Sequence, residues 1–168
     1  MKVLETERLI FRRTNDSDAE FMKKLMNSPG FIENIGDRNI KTLEDAKVHI
    51  ASKYTASYEA NGYGLFTVEL RNKTPIGTCG LVKRDPKEDP DIGFAYLPEF
   101  WGKGYAIEAA LGVLDYSKNI LKLKRVLGIT IPSNIGSIKT LEKAGLKFIK
   151  MSISEVDGAE IRVYEILL

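Results

Sequence analysis

Two glycines, Gly102 and Gly104, separate a strand-like pattern from a helix-like one, and such an arrangement can bind an anion. Apolar side chains alternate over residues 91–97, which predicts a strand. Pro98 cannot donate a ladder hydrogen bond, so the strand should end there, and helical spacing resumes at Ala106. Glycines let the backbone turn tightly and approach a ligand closely. The free N–H groups and the dipole of the following helix would then favour a phosphate group.

A second pair of residues that can bind a ligand, Asn134 and Ser137, lies at the predicted start of a later helix. Residues 125–131 before it form an apolar run typical of a buried strand. If this strand lies beside the strand over 91–97, both helix N-termini open at the same edge of the sheet. A ligand with a phosphate end and an extended arm then fits between them. From residue type alone, Asn134 is more often a plain helix N-cap and Ser137 a surface residue.

Carboxylates flank the glycine turn, and a carboxylate can take a proton from a substrate. Asp91, Glu99 and Glu108 occupy these positions. Each is more often a solvated charge, and Glu108 in the first helical turn also suits the helix dipole. Trp101, just before the glycines, either shields a ligand or anchors the core.

Two common phosphate-binding motifs fail at named positions. A Walker A loop needs lysine after its last glycine, but Tyr105 follows Gly104. A dinucleotide-binding fingerprint needs a third glycine where Ile107 stands, within a repeated strand–helix–strand sheet. The turn is therefore either an anion site of another kind or a tight strand-to-helix turn that binds nothing.

Composition narrows the class of protein and its chemistry. The 168 residues are 43% hydrophobic and 29% charged, which predicts one globular domain spanning 1–168. A net charge of +2 lacks the basic excess of a nucleic-acid binder. The single cysteine, Cys79, excludes an intrachain disulfide, and with no signal-peptide pattern it predicts a cytoplasmic protein. The single histidine, His49, excludes metal sites built on several histidines, and we expect no metal and no membrane contact.

The apolar periodicity predicts seven strands and four helices in the order β-α-α-β-β-β-α-β-α-β-β. The strands are expected at 8–13, 64–70, 76–83, 91–97, 125–131, 148–153 and 161–167. The helices are expected to begin at Ser17, Thr42, about residue 105 and Asn134, with 31–41 as loop. Three consecutive antiparallel strands followed by a crossover helix predict a mixed sheet with one parallel pair.

The chain resembles the GNAT N-acetyltransferases. The resemblance is carried by the order of elements, by the segment 98–106 (Pro-Glu-Phe-Trp-Gly-Lys-Gly-Tyr-Ala), and by Asn134-x-x-Ser137 followed by Leu-Glu-Lys-Ala-Gly-Leu at 141–146. The opening Leu-Glu-Thr-Glu-Arg-Leu-Ile-Phe-Arg at 4–12 is similar to the branch that acetylates ribosomal-protein alanine N-termini. The resemblance covers about residues 5–168. It implies an α/β/α layered α+β fold whose mixed, mostly antiparallel sheet of about seven strands splays at a parallel pair.

The resemblance also implies a set of residues that bind acetyl-CoA. In the family pattern, Trp101 takes the place of a glutamine or arginine, Gly104 that of the glycine, and Ala106 that of the last small residue. Amides over 102–107 would hold the pyrophosphate, and residues 94–96 would pair with the pantetheine arm. The full implied set is Phe94, Ala95, Tyr96, Trp101, Gly102, Lys103, Gly104, Tyr105, Ala106, Ile107, Asn134 and Ser137.

Two positions that carry catalytic groups in other members are filled differently here. Many members place a tyrosine acid seven residues after the asparagine, where this chain has Leu141, and Ser137 is the best replacement. Some members place a glutamate base five residues before the asparagine, where this chain has Ile129. Asp91 is then the leading candidate base. The next candidates are Glu108 and Glu33.

The resemblance implies transfer of an acetyl group from acetyl-CoA to a primary amine, by direct attack within a ternary complex. The acceptor is a protein N-terminus or a small amine, and the acceptor pocket is expected from residues 27–40 and the hairpin 153–160. The alternative is an acyl-CoA-binding sensor or partner protein that keeps the fold without the chemistry. A homodimer is a further expectation, and nucleic acid is not expected as a partner.

Overall fold

The computed structural model describes residues 1–85 and 88–168 and shows one eight-stranded sheet flanked by helices. The strands are β1 (Lys2–Glu5), β2 (Leu9–Arg13), β3 (Leu65–Leu70), β4 (Pro75–Val82), β5 (Asp91–Tyr96), β6 (Arg125–Thr130), β7 (Lys147–Ile153) and β8 (Glu160–Leu167). Their order across the sheet is β1-β2-β3-β4-β5-β6-β8-β7, antiparallel except for β5 and β6. The predicted fold class is confirmed, with eight strands where seven were expected.

The helices are α1 (Ala19–Met26), α2 (Pro29–Asn34), α3 (Leu43–His49), α4 (Ala56–Asn61), α5 (Tyr105–Asn119) and α6 (Ile135–Lys143). A π-helical segment, Ile50–Thr55, joins α3 to α4. Short 3-10 turns cover Asp16–Asp18 and Pro98–Phe100.

Two elements differ from the sequence prediction. The first strand, Lys2–Glu5, was not predicted because it is short, half exposed and irregular in its pairing with β2. The prediction of a loop from residue 31 is wrong for its first part, since α2 runs from Pro29 to Asn34. Proline suits the first position of a helix, so Pro29 both follows the end of α1 and begins α2.

The core lies between the sheet and its helices. Ala109 and Val113 on α5 are fully buried, as are Phe66 and Val68 on β3. Tyr116 of α5 meets Phe66 edge to face with 6.2 Å between ring centroids, which fixes α5 over the middle of the sheet. This packing holds the N-terminus of α5 beside the C-terminal end of β5.

The sheet opens at the parallel pair of β5 and β6. Only Asp91 with Leu127 and Ile92 with Gly128 are in register, whereas β5 pairs with β4 along its whole length to Tyr96. Beyond Ile92, the edge of β5 that faces β6 therefore has no strand partner. The gap that results leads directly to the starts of α5 and α6.

Candidate active site

A cleft of about 640 Å³ lies at the open edge between β5 and β6. One side is formed by the C-terminal half of β5 and the turn that leads into α5, and the other by the first turns of α6. The lining residues are Gly30, Phe31, Asn34, Ile35, Phe94, Ala95, Tyr96, Phe100, Trp101, Gly102, Gly104, Tyr105, Ala106, Ile107, Asn134, Gly136, Ser137, Lys139, Thr140 and Lys143. Every residue predicted to bind acetyl-CoA is among them except Lys103.

The glycine turn has a backbone conformation that other residues rarely adopt. Gly102 has φ +71° and Gly104 has φ +80°, both left-handed, and Gly104 is the N-cap of α5. The first intrahelical bond of α5 runs from Glu108 N–H to the carbonyl of Gly104 at 3.2 Å. The N–H groups of residues 105–107 consequently have no acceptor within the helix, and they open toward the cleft.

A salt-bridged network that sequence reasoning missed supports this turn from behind. Arg8 donates from Nε to Glu108 Oε2 at 2.6 Å and from Nη1 to the carbonyl of Lys103 at 2.9 Å. Thr6 Oγ1 and the Arg8 backbone N–H both donate to Glu108 Oε1, at 2.6 and 2.8 Å. The Arg8 guanidinium also lies over the Tyr105 ring, 4.6 Å from its centroid. Lys103 therefore contributes its carbonyl to the network and does not line the cleft.

Glu108 is occupied by this network and does not line the cleft. Burial alone would raise the pKa of Glu108, but hydrogen bonds from Thr6 and Arg8 outweigh it and hold the pKa below its usual range. A carboxylate held in this way is a poor proton acceptor. The geometry thus favours a structural role for Glu108 over the predicted role of reserve base.

Trp101 connects the turn to β5 and to α2. Its indole Nε1 donates to the carbonyl of Tyr96 at 2.8 Å, yet 53% of the residue is exposed in the cleft. The ring lies so close to Gly30 that a Cβ built there would be 2.5 Å from Trp101 Cη2. Only glycine at position 30 lets α2 approach the indole this closely.

Opposite the glycine turn, Asn134 and Ser137 lie in the first turn of α6. Asn134 caps the helix by accepting a hydrogen bond from the Ser137 backbone N–H at 3.2 Å. Within the described part of the chain, neither the Ser137 hydroxyl nor the Asn134 Nδ2 group makes a hydrogen bond. Both groups are therefore available to a molecule in the cleft.

Leu141 occupies the position at which many relatives carry tyrosine. It is 1% exposed and packs on β6, where a Cβ added to Gly128 would lie 2.8 Å from Leu141 Cδ2. The position therefore belongs to the core contact between α6 and the sheet, and Leu141 does not face the cleft.

Asp91 lies at the opposite end of β5 from the cleft. It is 3% exposed and accepts two hydrogen bonds from Arg84, at 2.7 and 3.1 Å. Burial raises the pKa of Asp91, and Arg84 offsets this in part. Asp91 does not line the cleft, so this geometry favours a structural ion pair, and the catalytic role of Asp91 stays a prediction.

A largely apolar wall closes the remaining side of the cleft. We call it the aromatic wall; it consists of Phe31, Asn34, Ile35, Phe100 and Trp101. Part of the segment 27–40 thus contributes to the cleft, as predicted. The hairpin 153–160 provides no lining residue of this cleft in the described chain, and its part in an acceptor pocket stays a prediction. Glu33 is exposed on α2 and is likewise outside the lining.

Cys79 lies beneath the floor of the cleft, on β4. It is fully buried, and burial raises the pKa of its thiol to about 12. The neighbouring Tyr96 hydroxyl is also buried, which raises its pKa well above the ordinary value. Neither group ionises near neutral pH.

Among residues 1–85 and 88–168, no three His, Cys, Asp or Glu side chains are grouped so as to hold a metal ion. None of the helices described is both long and apolar enough to span a bilayer.

Comparison with known proteins identifies the family. A family model described as the acetyltransferase (GNAT) domain matches residues 8–147. The uncharacterized N-acetyltransferase YoaA of Bacillus subtilis (strain 168) is 29% identical over 147 residues, 86% of this chain and 82% of its own length.

Solved structures agree with the fold. The ribosomal-protein-S5-alanine acetyltransferase of Vibrio fischeri has a TM-score of 0.75 at 19% identity, covering 99% of this chain and 96% of its own. The spermidine N-acetyltransferase of Vibrio cholerae, solved with CoA and spermine, has a TM-score of 0.79 at 21% identity, covering 96% of each chain. The chain belongs to the GNAT family of acetyltransferases, as its resemblance implied.

Proposed function

We propose that the protein transfers the acetyl group of acetyl-CoA to a primary amine, by direct attack within a ternary complex. One observation carries the proposal. The left-handed glycine turn at the start of α5 and the free polar groups of Asn134 and Ser137 face one cleft at the open edge of β5. This arrangement offers N–H groups to a phosphate and a strand edge to an extended arm.

The residues present fit acetyl-CoA. The N–H groups over 102–107 would hold the pyrophosphate, supported by the positive end of the α5 dipole. Residues 94–96 have backbone groups without a strand partner on the β6 side, and these suit the amide-containing pantetheine arm. Asn134 Nδ2 would donate to a carbonyl of that arm. The spermidine acetyltransferase with a similar fold was solved with CoA, which supports this assignment.

Direct attack is favoured over an acetylated enzyme intermediate. Cys79 is the only cysteine in the chain, and its thiol is buried with a pKa raised to about 12. A thiolate is the form that attacks a thioester, and this residue neither forms it nor reaches the cleft. The absence of a reactive cysteine from the cleft supports the amine itself as the nucleophile.

The side chains that remain can assist the reaction in two ways. A backbone N–H near Tyr96 can polarise the thioester carbonyl, because it lies at the end of β5 where the strand has no partner on one side. The Ser137 hydroxyl lines the cleft and can donate a proton to the departing thiolate. A thiol has a reference pKa of about 8.5, so a weak acid is sufficient.

The test is to mix purified protein with acetyl-CoA and a panel of amines and N-terminal peptides, and to measure released CoA. Calorimetry with acetyl-CoA measures binding separately. Acetyl-CoA binding together with turnover is the expected result. Binding with no turnover on a broad panel would support the alternative of an acyl-CoA-binding partner protein, and the absence of both would refute the proposal.

The cytoplasmic location and the homodimer both stay predictions. Fractionation of cells that express a tagged full chain tests the first. Sedimentation of the purified chain over a range of concentrations tests the second.

A further inference from the structure

The charges that surround the aromatic wall carry information about the acceptor. Within the described residues, the lining of the cleft contains no aspartate or glutamate. Among the described residues of the lining, the basic side chains are Lys139 and Lys143, both on α6. A cleft lined in this way does not stabilise an acceptor with several positive charges.

The carboxylates near the cleft lie outside its lining, and most of them are bound to other groups. Asp91 is bound by Arg84, and Glu108 is bound by Thr6 and Arg8. Glu99 pairs with Lys24 at 2.8 Å, and Asp37 accepts from Asn39 N–H at 2.7 Å. Asp157 accepts from Ala159 N–H at 3.1 Å and interacts with Arg38, and Glu33 is exposed on α2.

The other titratable groups around the wall are basic side chains, one histidine and two phenols. Lys103 lies outside the lining, with its ammonium over the Phe100 ring at 5.9 Å. Arg38, in the loop after α2, lies close enough to His49 to lower the pKa of that residue, although burial is the larger cause. Tyr105 lines the cleft beneath the Arg8 guanidinium. Tyr96 is buried and stays protonated.

The wall exposes apolar surface toward the place where an acceptor would lie. Trp101 is 53% exposed and Ile35 is 40% exposed, although both are large and apolar. Phe31 lies behind them and is 8% exposed. Asn34 is the one polar side chain of the wall, and its Nδ2 already donates to the carbonyl of Gly30 at 2.9 Å. An acceptor gains most here by covering this surface with an apolar body.

We propose that the acceptor is a weakly basic primary amine attached to an aromatic or branched apolar body, and that it reacts as the neutral amine without a carboxylate base in the cleft. This inference rests on the proposed function. It excludes polyamines and lysine side chains as good substrates. The acceptor expected here therefore differs from the polyamine acceptor of the spermidine acetyltransferase that has a similar fold.

Acetyl transfer to a neutral amine needs no base from the enzyme. The nitrogen lone pair forms the new carbon–nitrogen bond, the carbon–sulfur bond breaks, and the proton released by nitrogen ends on the sulfur of CoA. What the enzyme needs is a supply of neutral amine. At pH 7, about 15% of an amine with pKa near 7.8 is neutral, against about 0.04% of an amine with pKa near 10.4.

The test compares two amines with the same aromatic body and different basicity, phenylalaninamide and 2-phenylethylamine. We expect kcat/KM at pH 7 to be about 350-fold higher for phenylalaninamide, in proportion to the neutral fractions of the two amines. The ratio of the two kcat/KM values should fall as the pH rises to 9.5. The kcat/KM of each amine should rise with pH until the pH exceeds the pKa of that amine. Spermidine and Nα-acetyllysine methylamide should be poor substrates. A tripeptide beginning with phenylalanine distinguishes a peptide N-terminus from a small molecule as the source of the amine.

A pair of variants tests the wall itself. Ile35→Glu adds a carboxylate at an exposed position of the wall, and Ile35→Gln adds polarity without charge. We expect only Ile35→Glu to raise turnover of spermidine, by about tenfold, while both variants lower kcat/KM for phenylalaninamide.

Three outcomes overturn the inference. Equal or faster turnover of spermidine or the lysine derivative at pH 7 refutes the substrate class while leaving acetyl transfer intact. A break in kcat/KM at one acidic pH for every amine reveals an enzyme base. Acetyl-CoA binding without turnover of any amine refutes both this inference and the proposed function, and it leaves the binding-protein alternative.

Discussion

The glycine turn and the aromatic wall form two sides of one cleft, and they are built differently. The turn begins a helix of 15 residues and is supported by Arg8, Thr6 and Glu108 through hydrogen bonds of 2.6 to 2.9 Å. The wall rests on α2, a helix of six residues whose N-cap Ser28 makes no side-chain capping bond. The turn is hydrogen-bonded to residues about 100 positions away in sequence, whereas the wall is held mainly by packing.

The difference fits what each side is proposed to bind. A pyrophosphate is the same charged group in every reaction, so backbone N–H groups held in one geometry are sufficient for it. An acceptor differs from enzyme to enzyme, and side-chain shape and charge must select it. The turn is therefore expected to be sensitive to backbone changes, and the wall to changes in side-chain chemistry.

The largest effect should come from disturbing the backbone of the turn. Gly104→Ala places a Cβ at a strained φ of +80° and 3.3 Å from Arg8 Nη2, so the turn or the Arg8 side chain that supports it must shift. Losing one or two charge-assisted hydrogen bonds at about 1.5 to 3 kcal/mol each should raise the acetyl-CoA Kd about 100-fold. Calorimetry measures the change.

The matched control for this change is Gly62→Ala, which has a similar φ of +77° and no neighbouring atom within 4 Å. Both variants should lose about 1 to 2 kcal/mol of folding free energy from left-handed strain. Equal acetyl-CoA affinity in the two variants would contradict a binding role for the turn.

The next largest effect should separate binding from chemistry at the start of α6. Ser137→Ala is expected to lower kcat about tenfold while leaving acetyl-CoA affinity within about twofold, since the hydroxyl is needed only as the thiolate departs. Thr140→Ala is the control, because Thr140 also lines the cleft but its hydroxyl is bonded to the Gly136 carbonyl at 2.9 Å. An unchanged kcat in Ser137→Ala would exclude this serine as the acid.

A smaller effect should distinguish the two sides of the cleft directly. Arg8→Ala removes the support of the turn, and we expect the KM for acetyl-CoA to rise about fivefold with little change in the KM for the amine. Arg125→Ala is the control, since Arg125 donates from Nε to Glu165 Oε2 at 2.6 Å between β6 and β8, away from the turn. If the amine KM changed as much as the acetyl-CoA KM, the two sides would not be independent.

The smallest effect on turnover is expected at Asp91. Asp91→Asn should leave kcat/KM within about twofold, because the residue lies outside the cleft. Loss of the ion pair with the half-exposed Arg84 should lower the free energy of unfolding by about 1 to 2 kcal/mol, as measured by urea unfolding. A 100-fold loss of kcat/KM with a flattened pH profile would restore Asp91 as the base.

The parts of the site that could be predicted from sequence are those set by local backbone requirements. Gly102 and Gly104 mark left-handed positions, and a proline followed by helical spacing marks the start of a helix. The resemblance to the GNAT family then assigned the lining residues of the turn, and all but Lys103 line the cleft. Asn134 and Ser137 were brought opposite the turn because the predicted parallel pair of strands is present.

The parts that could not be predicted depend on contacts between distant segments. Arg8 and Glu108 are 100 residues apart, and nothing in their local patterns indicates an ion pair. Pro29 signals the end of one helix and the start of the next equally well, so the sequence pattern does not distinguish residues 31–34 of α2 from a loop. The aromatic wall combines α2 with the turn after β5, and only the approach of Trp101 to Gly30 brings them together.

The seam between β5 and β6 has a consequence for the lifetime of the protein. Two register pairs join the five-stranded part of the sheet to the three-stranded part, so an arm bound along residues 94–96 would act as a removable ninth strand. A ligand present at 100 times its Kd stabilises a fold by about 2.7 kcal/mol. Proteolysis should consequently be slower when the acyl donor is plentiful, and the amount of this protein in a cell would then follow its donor supply.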